Sequence, residues 1–216
     1  QSSAISTKVQ WCAPRLRLSN PTLPDQSLDT LADGAALRAE LLLRYSEAHR
    51  AYHTRQHLQE CLEAFEVVRS CAQHPHEIEM ALWFHDAVYE VRRSDNEAQS
   101  ADWARTSMLQ AGASAEVAAR VHALIMVTLH TAVPTDADAL LLVDIDLSIL
   151  GAGEKRFAEY EQQIRQEYRH VPGLLFQYKR REILRSFLDR PCIYGTAHFH
   201  QQLEERARDN LRRAIV

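Results

Sequence analysis

The sequence contains few of the residues that form tight turns, with only 6 glycines and 7 prolines among 216 residues. A chain made of many short hairpins is therefore disfavoured, and a helical chain is favoured. Hydrophobic residues make up 46% of the chain, enough for one sizeable core. No alternating strand pattern of useful length, internal repeat or low-complexity tract is found. Together these features predict an all-α protein.

Other absences narrow the class of protein. No apolar run approaches the roughly 18 residues that a membrane-spanning helix needs, and the first ten residues lack a signal-peptide core. The four cysteines lie far apart without a CxxC pair, which indicates neither a zinc knuckle nor a disulfide framework. A net charge of -4 gives no reason to expect a nucleic-acid binder. We therefore expect a reduced, cytoplasmic protein without membrane or nucleic-acid partners, either a monomer or a homodimer.

The chain divides into a short lead-in and one long helical region. Residues 1–34 are rich in serine, threonine and proline, which predicts a partly ordered segment. From residue 35 onward apolar residues recur at helical spacing, which predicts a single helical domain over residues 35–216. The clearest helical patterns cover residues 37–45, 58–65, 78–85, 97–110, 117–128, 137–150, 157–168 and 178–188.

Eleven histidines are many for this length. Six of them are interpreted as surface residues, in polar loops or on exposed helix: His74, His76, His122, His170, His198 and His200. Three others, His49, His53 and His57, recur every four residues in AHRAYHTRQH. On a helix they would share one face and suit a metal or phosphate pocket. A break in the pattern before Leu58 leaves open that part of this stretch is a turn.

A histidine and an aspartate, His85 and Asp86, stand together within the apolar stretch WFHDAVYE. Burying an ionisable pair costs free energy unless something compensates it. A bound metal ion is one compensation, and an ordinary ion pair between the two side chains is the other. Neighbouring residues on a helix point about 100° apart, so both reach one ion only near the helix edge.

Further polar residues interrupt apolar segments. Asp144 and Asp146 lie in LLVDIDLSIL, and carboxylates are rarely buried unless they are paired. Because they are two positions apart on a helix, we expect only one of them to face a site. His130 ends an apolar helix in TLH. Glu97, in DNEAQSA, falls in a first helical turn, where its charge suits the helix dipole.

In combination these residues resemble a known family. Imidazole and carboxylate ligands suit Mn, Fe, Ni, Co or Zn, and carboxylate-rich sites tolerate Mg. The order of histidine, adjacent His-Asp and distant Asp resembles the HD superfamily of metal-dependent phosphohydrolases. RAYHTRQH, WFHDAVYE, NEAQSA, TLH, DIDLSILG, IRQEY and ARDNL look like the motifs of one uncharacterised branch of that superfamily, over residues 40–213.

The resemblance implies an HD-like helical bundle with a divalent metal ion between core helices. The implied ligands are His57, His85, Asp86 and Asp146. His57 is preferred to His53 because a helix follows it directly. Asp146 is preferred to Asp144 because DIDL looks like the family segment whose second acid is the ligand. The residues expected to support these ligands, or to bind a second ion, are His53, His130 and Asp144.

The resemblance also implies hydrolysis of a nucleotide or a similar small phosphate ester by a metal-activated water. The expected catalytic residues are Asp86, Glu90 and Glu97. The expected phosphate-binding residues are Arg55, Arg165, Lys179 and Arg180. Arg165, in IRQEY, is the first choice among these cations, although a surface salt bridge with Glu161 or Glu167 explains it equally well.

Two other functions remain open from the sequence. Some HD proteins resemble di-iron oxygenases, which need two further histidines, and His122 and His130 are available here. These two lie only eight positions apart, closer than is usual for second-metal ligands. The other alternative is a non-catalytic nucleotide-binding or regulatory module that has kept the pocket.

Overall fold

The computed structural model describes residues 34–216, and the regular secondary structure of this part of the chain is helical, without a strand. The all-α class is therefore confirmed. Its α-helices are α1 (Gly34–Arg44), α2 (Arg55–Val68), α3 (Pro75–Phe84), α4 (Asn96–Gln110), α5 (Ala115–Met126), α6 (Ala137–Asp146), α7 (Glu154–Glu167), α8 (Gly173–Leu188) and α9 (Ala197–Ala214). The lead-in expected over residues 1–34 lies outside the described residues, apart from Gly34.

The helix boundaries follow from local capping chemistry. Thr54, Ser114 and Asp136 precede α2, α5 and α6, and their side-chain oxygens accept backbone N–H groups of the first turn. These contacts satisfy donors that a helix start leaves without a partner. Gly112 follows α4 with a φ of 88°, a left-handed conformation that ends a helix at little cost only when the residue is glycine.

Two helices form the centre of the bundle. Most residues of α3 and of α6 are buried, and apolar side chains lie on several sides of each helix. A helix without a polar face has to be surrounded by others. Accordingly, α3 packs against α2, α4, α5 and α6, and α6 packs against α2, α3 and α5. The carboxyl ends of α3 and α6 therefore lie inside the protein, close to α2.

Two helical predictions need correction. The pattern over residues 137–150 predicts one helix, but α6 ends at Asp146 and a 3₁₀ turn covers Leu147–Gly151. The hypothesis that His49, His53 and His57 share a helical face is wrong, because α2 begins only at Arg55. Residues 49–53 form turns instead, and the backbone N–H groups of 51–53 bind the Glu167 side chain.

The charged C-terminal helix is part of the core. It buries Phe199, Ala207, Asn210 and Leu211, and it packs against the Leu147–Gly151 turn and α8. The amide of Asn210 donates to the carbonyl oxygens of Leu150 and Ala152, both at 2.9 Å. These bonds fix the segment that directly follows Asp146.

The structure also bears on the cysteines and on membrane insertion. Cys61 and Cys192 are free thiols. Cys71 is disulfide-bonded, so the expectation that the cysteines are reduced is wrong for this residue. Among the helices described over residues 34–216, none combines the length and the apolar character that crossing a membrane requires.

Candidate metal centre

Four side chains expected to bind a metal lie together in the structure. His57 comes from the first turn of α2, His85 and Asp86 follow α3, and Asp146 ends α6. His57 Nε2 is 3.1 Å from His85 Nε2 and 3.2 Å from Asp146 Oδ1. Asp86 Oδ2 is 3.0 Å from His85 Nε2 and 3.4 Å from His57 Nε2. The two imidazoles are buried, whereas the carboxylates are partly open to solvent.

The donor atoms of these side chains, and the distances between them, suit a bound cation. His85 Nδ1 lies 2.8 Å from the carbonyl oxygen of Leu82, which can only accept a hydrogen bond. Nδ1 therefore carries a proton, which leaves Nε2 as the nitrogen that can give its lone pair to a cation. Two donors on adjacent positions around one cation, each at about 2.1 Å, stand about 3.0 to 3.4 Å apart. The observed separations, 3.0 to 3.4 Å for the four contacts above, agree with this spacing.

The electrostatics of the centre favour positive charge. Burial acts to lower the pKa of His85, but the adjacent Asp86 carboxylate outweighs burial and raises that pKa to about 9. Burial acts to raise the pKa of Asp86, yet the neighbouring His85 imidazole lowers it well below its usual range. The pKa of Asp146 is lowered in the same way, against burial, by His130 and His57. Both carboxylates are therefore anionic at neutral pH, where they can bind a cation.

Cys61 lies beside this centre, although its sequence pattern indicated only a buried thiol. It lies one turn after His57 on α2, and its Sγ is 3.7 Å from His57 Nδ1 and 3.8 Å from Nε2. Ligand atoms of His57, Cys61, His85 and Asp146 all lie within 4.8 Å of one another and could hold a metal ion. Asp86 is not a member of that set. The spacing of four residues after His57 was the signal that could have identified Cys61.

His130 supports the centre and Asp144 does not. His130 Nε2 is 2.9 Å from Asp146 Oδ2, so the imidazole orients the carboxylate. Asp144 is buried elsewhere and accepts hydrogen bonds from the backbone N–H groups of Gly195 and Thr196 and from the Thr196 hydroxyl. Burial raises the pKa of Asp144 to about 6, against the effect of these donors. Its contacts fasten α6 to the start of α9.

A buried glutamate, Glu167, holds the turn beside the centre. Its Oε1 accepts the backbone N–H groups of Ala51, Tyr52 and His53 at 2.8 to 3.0 Å. Its Oε2 lies 2.8 Å from His53 Nδ1 and accepts the Tyr89 hydroxyl at 2.9 Å. Burial acts to raise the pKa of Glu167, but the contact with His53 and the backbone donors lower it to about 2. Glu167 lies in the IRQEY motif, where the sequence had directed attention to Arg165.

Arg50 joins the same turn to the His85–Asp86 segment. Its guanidinium is buried and donates to the carbonyl oxygens of His53, Asp86 and Ala87 at 3.1, 2.6 and 3.0 Å. Three bonds from one rigid group fix the relative position of two distant segments. Sequence reasoning did not identify Arg50, because no local pattern indicates which carbonyls a cation will reach.

A cavity of about 500 Å³ borders the centre. Asp86, Asp146, His53 and His130 line it, together with Glu97 from α4. Burial raises the pKa of Glu97. Two of the expected phosphate-binding cations, which belong to α8, also lie on its wall: Lys179 and Arg180.

Three other expected site residues lie away from this cavity. Arg55 is exposed at the start of α2, and Glu90 is exposed as well. Arg165 donates to the carbonyl oxygens of Tyr168 and Val171, and its guanidinium lies over the ring of Phe176. These contacts hold the Arg165 side chain against its own part of the fold. None of the three residues lines the cavity.

His122 does not join the centre either. Its Nε2 lies 3.4 Å from an Asp102 carboxylate oxygen on the surface of α4 and α5. His122 is therefore not positioned to bind a second ion at the centre. His49 is also engaged elsewhere, with its Nε2 2.7 Å from the Tyr89 carbonyl oxygen.

Comparison with known proteins adds no assignment. No protein-family model, no curated protein and no solved structure matches this chain. Its function is therefore inferred from the side chains of the centre and of the cavity beside it.

Proposed function

We propose that this chain is an HD-type metal-dependent phosphohydrolase that cleaves a nucleotide or a similar small phosphate ester. The observation that carries the proposal is the convergence of His57, His85, Asp86 and Asp146 beside a cavity with cations on its wall. The cavity volume of about 500 Å³ lies in the range typical of small-molecule sites.

The arrangement of the ligands supports the HD assignment. The order His57, then His85–Asp86, then Asp146 is that of the superfamily pattern, and separate helical segments bring these residues to one point. Helical bundles build metal sites in this way, from side chains on facing helices. The ligand set accepts Mn, Fe, Ni, Co, Zn or Mg.

A divalent cation at this centre would bind a phosphate oxygen and lower the pKa of a water molecule, which supplies a nucleophile at neutral pH. Asp86 lines the cavity, so its carboxylate can accept a hydrogen bond from the attacking water and orient it. His130 holds Asp146 through its Nε2 and keeps the second carboxylate in place. Both contacts prepare the geometry before the substrate binds.

Two side chains are placed to transfer a proton to or from the substrate. His53 lines the cavity and its Nδ1 is held by Glu167, so Nε2 is the atom left to exchange a proton with a bound molecule. Glu97 lies on the same wall, and its raised pKa brings its carboxyl group closer to proton exchange near neutral pH.

Arg180 and Lys179 are the cations that can hold the phosphate. The Arg180 guanidinium pairs with Glu161 and lies 5.0 Å from the centre of the Tyr160 ring, which fixes its orientation. Lys179 pairs with Glu182, but its side chain is 64% exposed and can turn toward a ligand. Cation–phosphate hydrogen bonds are among the strongest that side chains form.

Replacing Asp86 tests the proposal. Asp86→Ala should abolish hydrolysis across a panel of nucleotides and p-nitrophenyl phosphate, whereas Asp102→Ala, an exposed acid, should leave it unchanged. Hydrolysis retained in Asp86→Ala would refute the assignment. Two irons per chain with an oxygen-dependent product would indicate an oxygenase. A metal-loaded protein that hydrolyses nothing but binds one nucleotide tightly would indicate a binding module.

A further inference from the structure

One wall of the cavity beside the centre is apolar and partly exposed. Leu129 and Ile183 both line this cavity, and they remain 37% and 50% exposed. Single exposed apolar residues are common on protein surfaces, and Leu43 on α1 is of this kind. Leu129 and Ile183 differ from it because two carboxylates of the metal centre line the same cavity. An apolar group that binds in the cavity would remove both side chains from water, which is favourable.

Contacts around His130 place this wall next to the metal centre. His130 directly follows Leu129 in the chain, and its Nε2 is 2.9 Å from Asp146 Oδ2. The centre of its ring is 6.3 Å from that of Phe187, which also lines the cavity. Phe187 and Ile183 are four positions apart on α8, so they lie on one face of that helix. We call Leu129, Ile183 and Phe187 the apolar wall.

The anionic end of a phosphate ester has its own partners in this cavity. Its phosphate is held at the metal centre, and Lys179 and Arg180 line the cavity from α8. Arg180 comes three positions before Ile183, and residues at this spacing are neighbours on a helix surface. A ligand whose phosphate is held by these groups therefore has its organic group within reach of the apolar wall.

A hydroxyl-rich organic group fits this wall poorly. Leu129, Ile183 and Phe187 have no side-chain atoms that form hydrogen bonds, so a hydroxyl placed against them loses its bonds to water. Asn96 also lines the cavity, but its side-chain amide is already bound at 3.1 Å to the backbone N–H and carbonyl oxygen of Glu90. The apolar wall therefore favours an organic group made of hydrocarbon.

We infer that the substrate is the phosphate monoester of a hydrophobic alcohol, and that Leu129, Ile183 and Phe187 bind its hydrocarbon group. Hydrolysis of such an ester consumes one water molecule and releases the alcohol and inorganic phosphate. The inference rests on the proposed function and deepens it, because it narrows the substrate from a nucleotide or similar ester to one chemical class.

A series of alkylphosphonates tests the apolar wall without hydrolysis. Ethyl-, butyl- and hexylphosphonate are titrated calorimetrically into protein supplied with one equivalent of Mn²⁺. The dissociation constant should fall about two- to fourfold for each added methylene, the effect of burying that group. Equal affinity along the series, or no binding of any member, overturns the inference.

A matched pair of variants locates the effect. Ile183→Ser should weaken the dependence on chain length, and Leu43→Ser should keep it, because Leu43 is equally apolar and exposed but lies outside the cavity. An unchanged dependence in folded Ile183→Ser overturns the assignment of the wall. If Ile183→Ser does not fold, the wild-type series still decides the inference.

Two esters with the same carbon chain give a kinetic test. Propyl phosphate should be hydrolysed with a kcat/KM about tenfold or more above that of glycerol 3-phosphate, whose two hydroxyls lose hydrogen bonds to water. A preference for glycerol 3-phosphate overturns the inference. Chain-length-dependent phosphonate binding without hydrolysis of any ester refutes the proposed function alone. Hydrolysis of esters with affinity independent of chain length refutes the inference alone.

Discussion

The Nε2 atoms of His57 and His85 face each other at 3.1 Å, although 28 positions separate the two residues in the chain. His85 Nδ1 carries a proton and donates it to the carbonyl oxygen of Leu82, so Nε2 is the nitrogen that faces the other ligands. Two imidazole nitrogens this close, with carboxylate oxygens of Asp86 and Asp146 beside them, are stabilised when a proton or a cation lies between them. The predictions below follow from this relationship and from the side chains that maintain it.

A divalent cation should stabilise the folded protein. A ligand that binds only the native state at 100 times its dissociation constant adds about 2.7 kcal/mol to the free energy of unfolding. We expect the Tm to rise when Zn²⁺ or Mn²⁺ is added to metal-free protein and to fall again with a chelator. Differential scanning calorimetry measures the effect. A Tm that does not respond to any divalent cation would contradict the presence of the centre.

Glu167→Gln should destabilise the protein. The carboxylate accepts three backbone N–H groups of the 51–53 turn, and loss of a hydrogen bond to a charged group costs about 1.5–3 kcal/mol. Glu66→Gln is the matched control, because Glu66 is exposed and a surface change has an effect within about 0.5 kcal/mol. Urea unfolding of both variants provides the comparison. Equal stability of the two variants would show that Glu167 does not hold the turn.

The acid stability of the protein should depend on Glu167. Its pKa falls from 4.5 to about 2 on folding, so its carboxylate stabilises the fold fully above pH 4.5. That contribution is lost as the pH falls from 4.5 toward 2. The free energy of unfolding of Glu167→Gln should therefore vary less over this interval than that of wild type. Parallel pH profiles for the two proteins would show that the pKa of Glu167 is not lowered on folding.

Two tyrosine variants should differ in stability. Tyr52→Phe removes a buried hydroxyl that has no partner within residues 34–216, so the metal-free variant should be as stable as wild type or more stable. Tyr45→Phe should lose about 1 kcal/mol or more, because its hydroxyl donates to the Trp83 carbonyl oxygen and accepts the Asp86 N–H. Chemical unfolding with a chelator present makes the comparison, and a larger loss for Tyr52→Phe would be the contrary result.

Replacing Arg180 should impair phosphate binding, whereas replacing Arg165 should impair the stability of the fold. Arg180→Ala should lower kcat/KM by about 10- to 100-fold, the equivalent of one lost charge-assisted hydrogen bond to phosphate. Arg165→Ala should instead lower the Tm, because its guanidinium binds two backbone carbonyl oxygens. Steady-state kinetics and thermal unfolding of both variants distinguish the two roles. The reverse pattern would return Arg165 to its place as the phosphate ligand.

Local chemistry made much of the fold predictable. The stripe of Leu58, Cys61, Leu62 and Phe65 marked α2, because burial on one face repeats with the helical period. Helical periodicity also predicted that only one of Asp144 and Asp146 faces the site. In the structure that residue is Asp146. Thr54 is the N-cap of α2, so this helix begins at Arg55 and includes neither His49 nor His53.

The unpredicted parts depend on contacts between distant segments. Glu167 binds backbone groups more than 110 positions away, and Arg50 binds carbonyl oxygens 36 and 37 positions away. Backbone donors and acceptors carry no sequence signal, so such partners cannot be identified from residue type. Arg165 and Arg180 differ for the same reason, since only the packing of α7 and α8 determines which guanidinium reaches the cavity.

The most direct test of the metal centre is elemental analysis of the purified protein, with reconstitution by divalent cations. We predict about one divalent ion per chain in wild type and in His198→Ala, an exposed histidine, and almost none in His85→Ala. The reason is that His85 Nε2, which faces the other ligands, is the nitrogen available to bind the cation. A wild-type protein that binds no metal after reconstitution would show that the His85–Asp86 pair is structural, and the proposed function would fail with it.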